Sequence, residues 1–348
     1  MRLLGLVCLG VFAVGAVAEA SKARVASLQG ARFLRDPQTI FTNPAHIHDL
    51  GEYFTAEFGG TANTDSPKAE GGMLLKKAGG KAGIYLGHMN ATQSALRDGE
   101  GYFVEENPFE VTYGRGVWGA SIHYSRNKKN TTNKGQKTLG ARFGVAKTNW
   151  EVFTSVDVVG EAAKSASSES KLKYPSVNLG GEYQWGDLYL FTEGTYARSR
   201  QDMTSPVAKN GVGVDKKVYE AGVQDLSLST KGRTFYYGAS LKYDVLEKDV
   251  YSQYNFTVPV VIGLEQAITD WFKARASLTQ NLLLGHTKDT TLTAPSDRKD
   301  TVANNTSASA GVAFSWKSFD LDAVVTGSTS GEISGNSLFT RAAATYSF

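Results

Sequence analysis

SASAGVAFSWKSFDLDAVV, residues 307–325, alternates in twos. Ala308, Ala310, Val312, Phe314 and Trp316 fall on one side, and Ser307, Ser309, Gly311, Ala313 and Ser315 on the other. Successive side chains of a strand point to opposite faces, so this is a strand with one apolar face. A two-residue turn at Lys317-Ser318 sets Trp316 against Phe319, Phe314 against Leu321 and Val312 against Ala323, all on that face. A slip of one residue would invert every side chain. The stretch therefore predicts a β-hairpin whose second face is small, polar or, at Asp320 and Asp322, charged.

The pattern repeats outward through residues 139–145, 177–185, 235–243 and 255–265. A turn at Gly186-Asp187 pairs Trp185 with Leu188 and Tyr183 with Leu190. A turn across residues 146–149 pairs Val145 with Trp150 and Phe143 with Val152, and one centred on Thr269 sets Glu265 opposite Lys273. Such short connections alternate with long polar ones, including GGTANTDSPK after Phe58, RNKKNTTNKGQ from Arg126, GEAAKSASSESKLKYP from Gly160 and residues 286–304. Short turns at one end and long loops at the other are the layout of a transmembrane β-barrel. All five tryptophans, Trp118, Trp150, Trp185, Trp271 and Trp316, sit at the short-turn end, where an amphipathic ring suits a membrane–water interface. Trp271 breaks the alternation and Phe272 takes the outward place.

Of 348 residues 37 are Gly, 16 Tyr and 17 Phe, with only 8 Pro, a composition that favours strands and turns. The net charge is +3 and its cations are scattered, so nothing recommends nucleic acid as a partner. Residues 1–20 read as a secretory signal: Arg2, an apolar stretch over residues 3–14, then small residues at Ala16, Ala18 and Ala20. The single cysteine, Cys8, lies inside it, so the processed chain would hold no disulfide. No other run approaches the roughly 20 apolar residues of a spanning helix. The expected fold is all-β: a transmembrane antiparallel up-and-down β-barrel of about 16 strands, with 14 the alternative. Residues 51–348 form the barrel, and residues 21–50 form a plug or a periplasmic segment.

The chain stops on RAAATYSF, residues 341–348, with Phe348, Tyr346, Ala344, Ala342, Thr340 and Leu338 on one face. This terminal aromatic on an apolar face resembles the carboxy-terminal signature of bacterial outer-membrane proteins. The resemblance implies that Tyr346 and Phe348 are read by the barrel-insertion machinery. Near the other end stand Gly30-Ala31, Asp36-Pro37 and then Phe41-Thr42-Asn43-Pro44-Ala45, just ahead of the first strand. That opening resembles barrels of the long-chain fatty acid transporter family, which implies 14 strands, an N-terminal plug and a hydrophobic substrate. Locally, Pro44 stops strand pairing and Asn43 can bond its own backbone in a turn.

Charges are costly on the lipid face, by roughly 2–4 kcal/mol for Arg or Lys at mid-depth. The polar parity therefore places Arg142, Glu151, Asp157, Glu182, Glu265, Lys273, Arg275, Asp320, Asp322 and Arg341 in the lumen as pore-lining residues, together with Glu110 and Lys242. Both signs occur, so strong ion selectivity is not expected. A plug would pack through Leu28, Phe33, Leu34, Ile40 and Phe41 and meet lumenal acids through Arg24, Arg32 and Arg35. The five histidines are dispersed; only His46-Ile47-His48 is close, spaced for one face of a strand. No metal site, cofactor or catalytic motif is expected. Three functions fit: a porin-like channel for small hydrophilic solutes, which leads, a transporter of hydrophobic substrates, and a structural or surface-interaction barrel. Outer-membrane lipid is the expected surrounding. Porins of this width are often trimers, which leaves a homo-oligomer open.

Overall fold

The computed structural model describes residues 21–59, 69–89, 105, 107–129, 134–163, 170–173, 175–203, 213–248, 251–289, 296–327 and 341–348. The expected signal, residues 1–20, lies outside them, as do Leu338 and Thr340. The strands are β1 Tyr53–Phe58, β2 Glu70–Lys77, β3 Gly80–Leu86, β4 Phe109–Arg115, β5 Trp118–Lys129 and β6 Lys134–Lys147. Then come β7 Trp150–Ala163, β8 Ser170–Lys173, β9 Ser176–Trp185, β10 Leu188–Met203, β11 Gly213–Asp225 and β12 Arg233–Lys248. The last are β13 Tyr251–Ala267, β14 Phe272–Asp289, β15 Ser296–Trp316, β16 Phe319–Gly327 and β17 Arg341–Ser347.

Apart from β8 and β9, each strand pairs antiparallel with its neighbours in sequence. β8 and β9 both lie between β7 and β10, so they are two pieces of one stave. Seventeen strands thus make sixteen staves, and β17 pairs with β1 to close the ring. Closure leaves no strand edge unpaired, the condition for a sheet to cross a bilayer. The Phe348 N–H donates to the Glu52 carbonyl at 3.1 Å, tying the last residue to the entry of the first strand.

The hairpin at Lys317-Ser318 has the predicted register, Trp316 against Phe319 and Phe314 against Leu321, as does the one at Gly186-Asp187. Two others are corrected by two residues. The β6–β7 turn is only residues 148–149, so Lys147 faces Trp150 and Val145 faces Val152. Across the β13–β14 turn Glu265 faces Arg275, and Lys273 faces Ala267, so the expected Glu265–Lys273 pair is not formed. A two-residue slip keeps every side chain on its own face, so alternation alone does not detect it.

The strands also climb further than expected. β14 and β15 run through most of the stretch expected as a loop, residues 286–304, and the β12–β13 pairing extends to Lys248 against Tyr251. On β7 a bulge at Val158 lets Leu139 pair with Val159 and Gly140 with Asp157. Beyond it the inward set changes parity, which buries Ala162 and exposes Glu161.

Every stave carries at least one large exposed apolar side chain, from Phe54 on β1 through Ile122, Leu179, Leu241 and Leu278 to Tyr346 on β17. An apolar belt running right round a closed barrel is a lipid-facing surface. All five tryptophans lie at its short-turn rim. Trp271 sits in the β13–β14 turn and is 58% exposed, its ring 6.1 Å from Phe314 on the outer wall. Loss of strict alternation therefore does not remove it from the aromatic rim.

Candidate functional site

Residues 21–52 precede the first strand and run inside the barrel, touching inward side chains from most of the wall. Lys22–Ser27 forms the short helix α1, where the Ser21 hydroxyl accepts from the Arg24 N–H at 3.1 Å. This helix packs against β14, β15, β16 and β17. The chain then crosses the lumen to Pro44–His48, a 3-10 turn seated on β4, β5 and β6.

Two apolar knots fix the crossing. Leu28 and Leu34 pack with inward Tyr236 and Val261, joined by Phe33. Ile40, Ile47 and Leu50 pack with Tyr53, Leu74 and Tyr85, joined by Phe41. Full burial of a Leu, Ile or Phe side chain contributes about 1.5–3 kcal/mol. Phe41 also stacks on His88, ring centroids 3.4 Å apart, with the Arg142 guanidinium 5.9 Å from its ring centre.

The Asn43-Pro44-Ala45 motif forms the seat. The Asn43 side chain accepts from the Ala45 N–H at 3.0 Å, and Pro44, without an N–H to satisfy, opens the turn. Beneath it lie Gly114, Gly119 and Gly144, directly paired across β4, β5 and β6. A Cβ on Gly119 would sit 2.3 Å from the Pro44 carbonyl oxygen, and one on Gly144 1.9 Å from Asn43 Oδ1. The His46-Ile47-His48 pair is in this turn rather than in a strand, and its rings part: His46 Nε2 is 2.6 Å from Glu151 Oε2, while His48 Nε2 lies 2.9 Å from the Trp118 carbonyl.

Charges on the wall are met by charges and amides of the plug. Glu57 lies opposite Glu70, Glu151 opposite Glu182, and Glu193 opposite Glu220. Like charges directly opposed destabilise a sheet. Each pair is met from the plug. The Gln38 amide donates to Glu57 at 2.7 Å and Glu70 at 2.6 Å, the Lys22 N–H donates to Glu57 at 2.8 Å, and the Lys22 ammonium pairs with Glu70. Arg35 is 3.1 Å from Glu151 and 4.0 Å from Glu182. Arg32 is 3.0 Å from Glu193, 3.7 Å from Glu220 and 3.9 Å from Glu182, and its guanidinium stands 4.4 Å above the Phe191 ring. Arg24 grips Glu265 through two 3.0 Å hydrogen bonds, the planar fork matching the carboxylate.

Of the residues singled out by parity, Glu151, Glu182 and Glu265 touch the plug. Others pair within the wall: Arg142 with Glu110, Arg275 with Glu265 and Asp322, and Asp157 with His123 at 2.7 Å and with Ser176. Asp320 is buried opposite Ser315 and Thr345, Lys273 lies between Ala267 and Ala313, and Arg341 is half-buried opposite Val324. Tyr346 stands outward between Phe54 and Phe319, its ring 5.5 Å from that of Phe348. Glu57, Glu70, Glu193 and Glu220 were not singled out, although the same alternation points them inward. Among the described residues no group of three or more His, Cys, Asp and Glu could hold a metal ion.

Between plug and wall lies a cavity of about 500 Å³, bordered by Gln29, Arg32, His46, Glu182, Glu220 and Gln224 among others. Glu220, Pro259 and Asn281 also border a second space of about 300 Å³, which Lys242, Asp244 and Asn255 carry towards the loop end.

No family model matches the sequence, and no curated protein matches it. The fold is similar to that of solved outer-membrane barrels. A bacterial polysaccharide outer membrane secretin superposes with a TM-score of 0.50 at 10% identity, covering 86% of this chain and 99% of its own. OmpT of Vibrio cholerae gives 0.41 at 10% identity, with 85% and 96% covered. The outer membrane channel DcaP of Acinetobacter baumannii gives 0.41 at 12% identity, with 85% and 95% covered. At such identities the likeness establishes the outer-membrane barrel fold alone. None of these comparisons supports the resemblance to the long-chain fatty acid transporter family.

Proposed function

We propose that the protein is an outer-membrane channel for passive diffusion of small hydrophilic solutes, occluded by its own N-terminal segment. The observation that carries this reading is the charged lumen. An apolar substrate path has no use for three opposed carboxylate pairs, and Glu151–Glu182 and Glu193–Glu220 border or adjoin the central cavity. A sixteen-stave barrel is wide enough for an aqueous passage. Residues 21–50 narrow it, and the acidic wall favours cations over anions, in contrast to the balanced lumen expected from parity alone.

The test is a planar-bilayer record of the purified protein across a potassium chloride gradient. Discrete current steps with a reversal potential displaced towards that of potassium are expected. A barrel that carries no current, either intact or after deletion of residues 21–36, overturns the channel reading and leaves a structural barrel.

Tyr346 and Phe348 act in this reading as the insertion signal. Phe348→Ser is expected to lower the amount of heat-modifiable barrel in the outer membrane several-fold while leaving synthesis unchanged. Surface levels equal to those of the parent protein would contradict that role.

A further inference from the structure

We propose that the strip formed by Glu182, Glu193 and Glu220, with the face of Phe191, is a binding site for small organic cations bearing a guanidinium or primary ammonium, and that Arg32 of the plug is their intramolecular competitor. The inference rests on the channel reading and names the solute class its lumen selects. The seat is already filled by the right chemistry: one guanidinium lies within 3.9 Å of three carboxylates from three neighbouring staves and 4.4 Å above an aromatic ring. Carboxylates around a cation with a π-face beneath it form a cation-selective cage.

Two further observations show room for a second cation. Glu182 has a side chain only 8% exposed, borders the 500 Å³ cavity, and its Oε2 has no hydrogen-bond partner among the described residues, the Arg35 guanidinium standing 4.0 Å off. His46 Nδ1, buried at the same cavity, has none either. Charge points the same way. Glu151, Glu182, Glu193 and Glu220 face two plug guanidinium groups, Arg32 and Arg35, and Lys242 lies opposite Glu220, so four carboxylates stand against three cations beside the space. The adjoining polar space, sharing Glu220 with the cavity, gives a route from the loop end.

The test is isothermal titration of the full protein in detergent micelles with agmatine, a guanidinium amine without a carboxylate, and with glutamate as the opposite charge. Saturable agmatine binding without glutamate binding is expected. Arg32→Ala should tighten agmatine by about tenfold by vacating the seat, and Glu193→Gln with Glu220→Gln should weaken it by about tenfold or more. Heat-modifiability confirms that each variant is a folded barrel. Because titration needs no current, a protein that binds agmatine yet never conducts would refute the channel and keep the site. Agmatine and glutamate heats that are alike, or an Arg32→Ala barrel that binds agmatine no better than the parent, would overturn the site.

Discussion

Deleting residues 21–36 is expected to raise single-channel conductance several-fold and to make the open pore clearly cation-selective. The deletion removes α1, Leu28 and Leu34, and with them the packing against β14–β17 and against Tyr236 and Val261. It also removes Lys22, Arg24, Arg32 and Arg35, the cations that meet the wall acids. What remains on neighbouring staves is Glu193 against Glu220, now facing water, Glu57 against Glu70, held only by Gln38, and Glu151 against Glu182, met only by His46. Water relieves part of the repulsion, so the barrel should still insert. Its heat-modifiability midpoint should fall, because opposed like charges lose their bridges. The selectivity should fade between 0.1 M and 1 M salt, as the Debye length contracts from about 10 Å to about 3 Å. A deletion protein with the parent's conductance would show that residues 21–36 are not the barrier.

Gly119→Ala is expected to dislodge the plug with hardly any change to the wall. A methyl group there would meet the Pro44 carbonyl oxygen at 2.3 Å and the Ala45 nitrogen at 2.7 Å, both backbone atoms of the Pro44–His48 turn. No rotamer relieves such a clash. The turn must rise, which pulls Asn43 off Gly144 and His46 away from Glu151. Overpacking of this kind typically costs about 1–3 kcal/mol. The strand itself tolerates alanine, since its neighbours Gly114 and Gly144 present no side chain. Limited proteolysis should therefore reach residues 21–50 in the variant, with the barrel intact and its current steps enlarged. Proteolysis and conductance equal to those of the parent would mean that the plug does not rest on this glycine row.

Much of this protein was legible in its sequence because a β-barrel writes itself locally. Alternation at residues 307–316 set inward and outward faces, turn lengths separated the two ends, and lipid forced charge to one parity. These are properties of neighbouring residues, and they gave the fold, the aromatic rim and the lumenal placement of Arg142, Glu151 and Glu265. Register was fixed only modulo two. Alternation is unchanged by a two-residue slip, so the turns at residues 148–149 and 268–271 had to be settled by cross-strand hydrogen bonding. At the loop end both faces of a strand can meet polar surroundings, the alternation relaxes, and the outer parts of β14 and β15, residues 286–289 and 296–304, look like loop in sequence. The opposed pairs of glutamates were invisible for a deeper reason. Glu193 and Glu220 lie 27 residues apart in sequence but opposite each other in the wall, and the guanidinium between them comes from Arg32. Which acids face one another, and which cation answers them, is fixed by closure of the ring around the segment it encloses, a long-range condition that no stretch of sequence carries by itself.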